Sequence, residues 1–295
     1  MLRFMFRAFI LSLVFYGCNP RSPEFGDKDF VADPEHPFAL VEKGEIIYSL
    51  NIPTDIVSFF EETGTGFDPS VPCPLERIPL YDNPEHIAVL LGVLGVDLSY
   101  CTLFERVVES AEYYNNIDLL ADKLDLPETI LDNSPIHNQS NLENADSLRA
   151  LIDNIYTEMD AHFKKSGQSS LASLSLLGGW VETMYIGVAI YKDKNILEMG
   201  DRILQQKYSL NSLSGLLAIE QESLMIRRYM HSVEKLKDVY NNVDIRYEIE
   251  GFEMDSAEQA FHGRVAEINS EPETLEKICR MIVQLRDDIL PLVNR

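Results

Sequence analysis

From about residue 84 onward, apolar positions recur at three- and four-residue steps, the period of helices that bury one face. Leu148, Leu151, Ile152, Ile155, Met159 and Phe163 form one such stripe. It is opened by Ser140-x-x-Glu143, in which the serine caps the first turn and the glutamate reaches back to the cap. Ser270-x-x-Glu273, with Pro272 in the first turn, predicts a closing helix with Leu275, Ile278, Cys279, Ile282, Leu285 and Ile289 inward. Between these, Leu213, Leu217, Met225, Tyr229, Val233, Leu236 and Tyr240 predict one long helix near 211–240, stopping at Asn241-Asn242. Period two is strong in one place only: Val243, Ile245, Tyr247 and Ile249 alternate with polar residues and predict a short hairpin near 243–254. Before all of this come a first ordered element at Ile46–Leu50 and a short helix near 54–63, with Ile56, Phe59 and Phe60 on one face and Gly64 ending it.

Two segments, Ile87–Phe104 and Leu171–Tyr191, are apolar nearly throughout. Each is long enough to cross a bilayer, yet Asp97 and Glu182 sit near their middles, and an acid in hydrocarbon costs several kcal/mol. Helices buried on all sides in a protein core fit better. The two also match each other at a separation of 85 residues, with Leu91, Asp97 and Tyr100 answering Leu176, Glu182 and Tyr185. Glycines lie in both, Gly92 and Gly95 in the first and Gly178, Gly179 and Gly187 in the second. A diverged internal duplication leaves such matches, and so does chance between two apolar helices. The expected fold class is all-α: one multi-helix domain over 46–295 packed on these two segments, with at most the short hairpin as β structure.

The N-terminal stretch follows different rules. Residues 1–7 carry Arg3 and Arg7 and no acid, and run into the apolar Ala8–Tyr16, which ends at Gly17-Cys18. This is the pattern of a bacterial lipoprotein signal, with residues 1–17 removed and Cys18 acylated. The apolar run is well short of the roughly 20 residues a spanning helix needs. Residues 18–44 are rich in Pro, Asp, Glu and Gly with no apolar period, the composition of a flexible tether. The expectation is a cell-envelope protein whose membrane contact runs through its N-terminal lipid.

Charge narrows the partners. There are 48 Asp and Glu against 25 Lys and Arg, a formal charge of −23. Such a surface repels phosphate backbones and anionic headgroups, which excludes nucleic acid as a partner and adhesion to membrane through a basic patch. Beyond Cys18 there remain Cys73, Cys101 and Cys279, an odd number with no metal-binding spacing. Cys101 and Cys279 lie among apolar residues and read as small core residues. Cys73, in Val-Pro-Cys-Pro, is either the more reactive thiol or a packed loop cysteine. The six histidines are scattered, and there is no Gly-rich phosphate loop, His-Glu-x-x-His, Gly-x-Ser-x-Gly or Cys-x-x-Cys. No metal and no cofactor are expected, and no catalytic set is assigned.

The nearest thing to a functional constellation is on the two apolar helices. At a spacing of three, Asp97 shares a helix face with Tyr100, and Glu182 with Tyr185; Trp180, the single tryptophan, is close by in sequence. A carboxyl group in apolar surroundings is hard to ionise unless it is paired, which is how general acids and ligand clamps arise. The same acids, held by a Tyr hydroxyl, an Arg or a backbone amide, would instead fix helix register. Arg227, Arg228 and His231 are candidate partners for them. Two functions from different classes follow: a non-catalytic binding or scaffold protein for an envelope partner or small ligand, and an envelope hydrolase or other enzyme working through the buried acids Asp97 and Glu182.

Ile46-Ile47-Tyr48-Ser49-Leu50, then Leu91-Gly92-Val93-Leu94-Gly95-Val96-Asp97-Leu98-Ser99-Tyr100, and later Leu177-Gly178-Gly179-Trp180-Val181-Glu182, together resemble a group of predicted Bacteroidetes lipoproteins. The resemblance spans most of the chain after Cys18. It implies a helical, envelope-located protein and carries no activity and no catalytic residues with it. In such bacteria an acidic cluster directly after the lipidated cysteine often marks export to the cell surface. Here that stretch is Asn19-Pro20-Arg21-Ser22-Pro23, which favours the outer membrane's periplasmic face.

Overall fold

In the computed structural model the described residues are 65–127, 130, 155, 157–194, 196–247 and 265–291, with the backbone of strand segments at 31–33, 36–42, 45–46, 253–255 and 260–262. The expected signal peptide, Cys18, the short helix expected near 54–63 and the helix start expected at Ser140-x-x-Glu143 lie outside them. Contacts divide the chain into two compact units, Met1–Ile47 and Tyr48–Arg295. The first contains an antiparallel meander of β1 (Val31–Asp33), β2 (His36–Glu42) and β3 (Glu45–Ile46), in that spatial order.

The second unit is mostly helical, as the apolar periodicity predicts. Its described helices are α1 (Pro84–Leu103), α2 (Val107–Lys123), α3 (Ser169–Lys194), α4 (Leu197–Gln205), α5 (Lys207–Ile219), α6 (Leu224–Tyr240) and α7 (Pro272–Ile289). A helical stretch at 157–165 precedes α3 and buries Met159 and Phe163.

Local chemistry sets these boundaries. At the start of α1 the Asn83 side chain accepts from the amides of Glu85 and His86, Pro84 occupies the first turn where no amide partner is needed, and Glu85 faces the positive helix end. At its end Glu105 adopts a left-handed φ of 54°, and the Arg106 amide bonds back to Cys101. α2 stops in the same way, with Asp125 at φ 53° and the Leu126 amide on Ala121.

The predicted long helix at 211–240 is two helices, α5 and α6, separated by a turn at 220–223. Ser223 causes the break: its Oγ accepts from the Ile226 amide, which starts a new helix where the apolar period alone would continue the old one. In α7 the cap is Glu271 in extended conformation with no side-chain cap bond, so the predicted Ser270 capping box does not form. Pro272 in the first turn does most to place that start. Asp244–Tyr247 is a strand, β4, but it pairs antiparallel with β7 (Val265–Asn269), Ile245 opposite Ile268, instead of folding back by residue 254. β5 (Glu253–Asp255) and β6 (Ala260–His262) pair with each other.

The core is organised around α1 and α3, both long and apolar enough to cross a membrane by length and composition, and both buried along most of their length. Glycines set their separation. A Cβ at Gly92 would stand 1.9 Å from the Ser175 carbonyl oxygen, and one at Gly178 would stand 2.0 Å from that of Val89. Backbone therefore lies directly on backbone, a spacing that only glycine permits here. Further along both helices in the same sense, Asp97 meets Glu182, so α1 and α3 run parallel. α7 packs on α3 and on α6, and α2 packs on α1, completing the surround.

Candidate functional site

Residues 65–81 precede α1 without pairing to any strand, and contain one short 3-10 turn at Ile78–Leu80. This strap is held down by side chains of the helices beneath it. Tyr100 on α1 accepts from the Asp68 amide at 3.1 Å, and Asp97 Oδ2 accepts from the Cys73 amide at 3.0 Å. From α2, Tyr113 donates to the Cys73 carbonyl at 2.8 Å, and Lys123 Nζ donates to the carbonyls of Pro79 (2.8 Å) and Tyr81 (2.6 Å). From α7, Arg286 reaches toward the Val71 carbonyl at 3.5 Å.

Under the strap lies the acid cluster. Asp97 and Glu182 are both 0% exposed. Glu182 takes two short bonds from Arg286, Nε to Oε2 at 2.6 Å and Nη2 to Oε1 at 2.7 Å, the fork geometry in which guanidinium and carboxylate match best. The guanidinium also lies over the Tyr185 ring, 3.9 Å from its centroid. Asp97 is served less well: Oδ2 has the Cys73 amide, while Oδ1 is buried with no donor directed at it. Burial first, and the neighbouring Glu182 carboxylate second, hold the Asp97 carboxyl well above the usual carboxylate range; Arg286 and the Cys73 amide pull the other way. Protonated, Asp97 can give its hydrogen to Glu182. Two carboxyl groups thus face one guanidinium, and the arrangement is closest to neutral when the pair keeps one proton.

The structure brings four of the five sequence candidates into this region and leaves one out. Asp97, Tyr100, Glu182 and Tyr185 belong to it, Tyr100 through the strap and Tyr185 through Arg286. Trp180 does not: its indole N–H donates to Ser209 Oγ at 3.0 Å, across the interface with α5. The expected cationic partners are also replaced. Arg227 and Arg228 are exposed, as is His231, and the counter-ion is Arg286. It had a readable signal, since it falls four residues after Ile282 and three before Ile289, on the apolar row of α7. A charge on that row asks for a buried partner.

Cys73 is the packed loop cysteine and not an exposed thiol. It is 0% exposed, and burial, with Asp97 and Glu182 behind it, pushes the thiol well above its usual range, so it has little thiolate character. Cys101 and Cys279 are buried core residues, and burial raises the Cys279 thiol to about 11. Among the described residues no three His, Cys, Asp or Glu side chains converge as metal ligands.

A separate polar cluster joins a serine to a lysine and a glutamate. Ser214 on α5 donates to Glu234, and Lys237 Nζ donates to Ser214 Oγ at 3.1 Å while pairing with Glu234 at 3.2 Å. A lysine occupied by a carboxylate is a poor base for the serine, and the three residues tie α5 to α6. Comparison with known proteins returns no match to a protein-family model, a curated protein or a solved structure.

Proposed function

We propose that the protein is a non-catalytic, lipid-anchored protein of the bacterial cell envelope that binds a partner protein or small ligand. The observation that carries the non-catalytic part is the closure of the acid cluster. A general acid or nucleophile must reach a substrate, whereas Asp97 and Glu182 are 0% exposed and lie beneath Cys73, with Glu182 taken up by Arg286. The anchor rests on the basic start, the apolar run and Gly17-Cys18, and the periplasmic side of the outer membrane on the lack of acids directly after Cys18. The acidic surface leaves the lipid as the membrane contact and nucleic acid outside the range of partners.

The test is purification of the full-length protein from its native membrane, with mass spectrometry of its N-terminus and of whatever travels with it. The expected result is a chain beginning at a diacylated or triacylated Cys18, accompanied by a stoichiometric envelope protein or small molecule. Recovery of intact residues 1–17, or of an unmodified Cys18, would overturn the anchor. Recovery of the acylated protein with no companion would overturn the binding role.

A further inference from the structure

The strap of residues 65–81 is fastened in an uneven way. Its own backbone bonds are local turns, Val71 to Asp68, Ile78 to Leu75, Leu80 to Arg77 and Tyr81 to Ile78, and among the described residues no strand pairs with it. Its centre is fixed mainly at Cys73, whose amide is on Asp97 and whose carbonyl is on Tyr113, with the Val71 carbonyl facing Arg286 beside it. The groups that face Asp97 are Glu182 from α3, Arg286 from α7, Tyr113 from α2, Cys73 from the strap, and Tyr100 and Cys101 on α1 itself; Glu76 on the strap acts on Cys73. Only one of these groups is cationic, and both its nitrogens nearest the cluster are engaged by Glu182. Seated, the strap seals two acids with one counter-charge. Lifted, it admits water to Asp97, which can then ionise at ordinary cost.

The geometry points to a proton-dependent latch: the strap of residues 65–81 stays seated while the Asp97–Glu182 pair holds one proton, and opens as a local unit, ahead of the helical core, as that proton is lost. Opening releases one proton in the interval between the ordinary carboxylate range and the higher range of the sealed group. Within that interval the opening constant rises about tenfold per pH unit. The latch is a property of the helical body and does not depend on the anchor or on any partner.

Cys73 supplies the readout, since it sits at the clasp, while Cys101 and Cys279 report the core. The full-length protein is alkylated with N-ethylmaleimide across pH 5 to 8, and each cysteine is quantified by peptide mass spectrometry. Each rate is divided by that of the same cysteine in the urea-unfolded chain at the same pH, which removes the thiolate's own titration. The expected result is a normalised rate for Cys73 at least tenfold above those of Cys101 and Cys279, and rising with pH. Asp97→Asn keeps an acceptor for the Cys73 amide and a donor for Glu182, and is expected to flatten that rise. Tyr113→Phe removes the bond to the Cys73 carbonyl and is expected to raise Cys73 labelling about fivefold at every pH, the equivalent of one hydrogen bond. If all three cysteines of the unmodified sequence label together, the strap opens only with global unfolding and the proposal fails. It also fails if Cys73 labelling is pH-independent, or if the rise persists in a folded Asp97→Asn protein.

Discussion

Glu182 and Arg286 dominate the energetics at the scale of single residues. Glu182→Gln takes the forked carboxylate from a guanidinium that is 5% exposed and leaves it the unbonded Asp97 carboxyl, and breaking a buried pair in this way is destabilising by up to about 3–5 kcal/mol. The urea midpoint should fall accordingly. Replacing both together, Glu182→Leu with Arg286→Leu, removes the two charges as a pair and is expected to recover much of that loss. A double variant no more stable than Glu182→Gln would show that the two side chains are not coupled. Asp97 makes a separate contribution that depends on pH. Its carboxyl is raised in the folded chain, so the stability linked to it is complete below the ordinary value of 3.8 and is lost as pH climbs toward the higher folded value. Urea unfolding from pH 4 to 7.5 should show this decline in the unmodified sequence and a flatter profile in Asp97→Asn. The acids themselves were legible in the sequence, because a charge inside a long apolar run has few explanations. The Cys73 amide was not, because contacts between a loop and a core helix follow no period.

At the scale of elements, the approach of α1 to α3 yields the sharpest contrast. Gly92→Ala and Gly178→Ala would each drive a methyl group into a carbonyl oxygen about 2 Å away, so α1 and α3 must move apart. Overpacking of this kind costs about 1–3 kcal/mol or more. Gly187, in the same helix as Gly178, faces only Met199 Sδ at 3.6 Å and Ile203 at 3.9 Å. Gly187→Ala should therefore hold the urea midpoint or raise it, by up to about 1 kcal/mol from helix propensity. Equal losses at all three positions would contradict the packing described for α1 and α3. The length of the nearly unbroken apolar run located both helices, because a helix buried on all sides has no polar face to interrupt it. It does not report the direction of the neighbour, so the parallel pairing of α1 with α3 was not readable from it. The 85-residue match was: Leu91, Asp97 and Tyr100 correspond to Leu176, Glu182 and Tyr185, and that register also places Asp97 beside Glu182. The break at Ser223 and the pairing of β4 with β7 escaped for a different reason. A single cap bond outranks a continuing stripe, and strand partners are chosen over distances that alternation does not encode.

For the whole molecule, 48 acids against 25 bases mean that folding gathers like charge. Added salt should relieve this. Between about 10 mM and about 300 mM NaCl the screening length shortens from about 30 Å to below 8 Å. Tm should rise over that range by about 2–4 °C for each kcal/mol of repulsion removed. A Tm that falls with salt would mean that surface ion pairs such as Arg246–Glu267 outweigh the net repulsion. The buried cation has a consequence for synthesis. Arg286 enters the chain 104 residues after Glu182, so α1 and α3 emerge from the ribosome well before the charge that neutralises their interface. Until α7 arrives, a tight union of the two would trap acids without compensation, and the nascent polypeptide stays loose. On the export route proposed above, that delay would keep the chain threadable through a translocation channel, with final locking left to the far side.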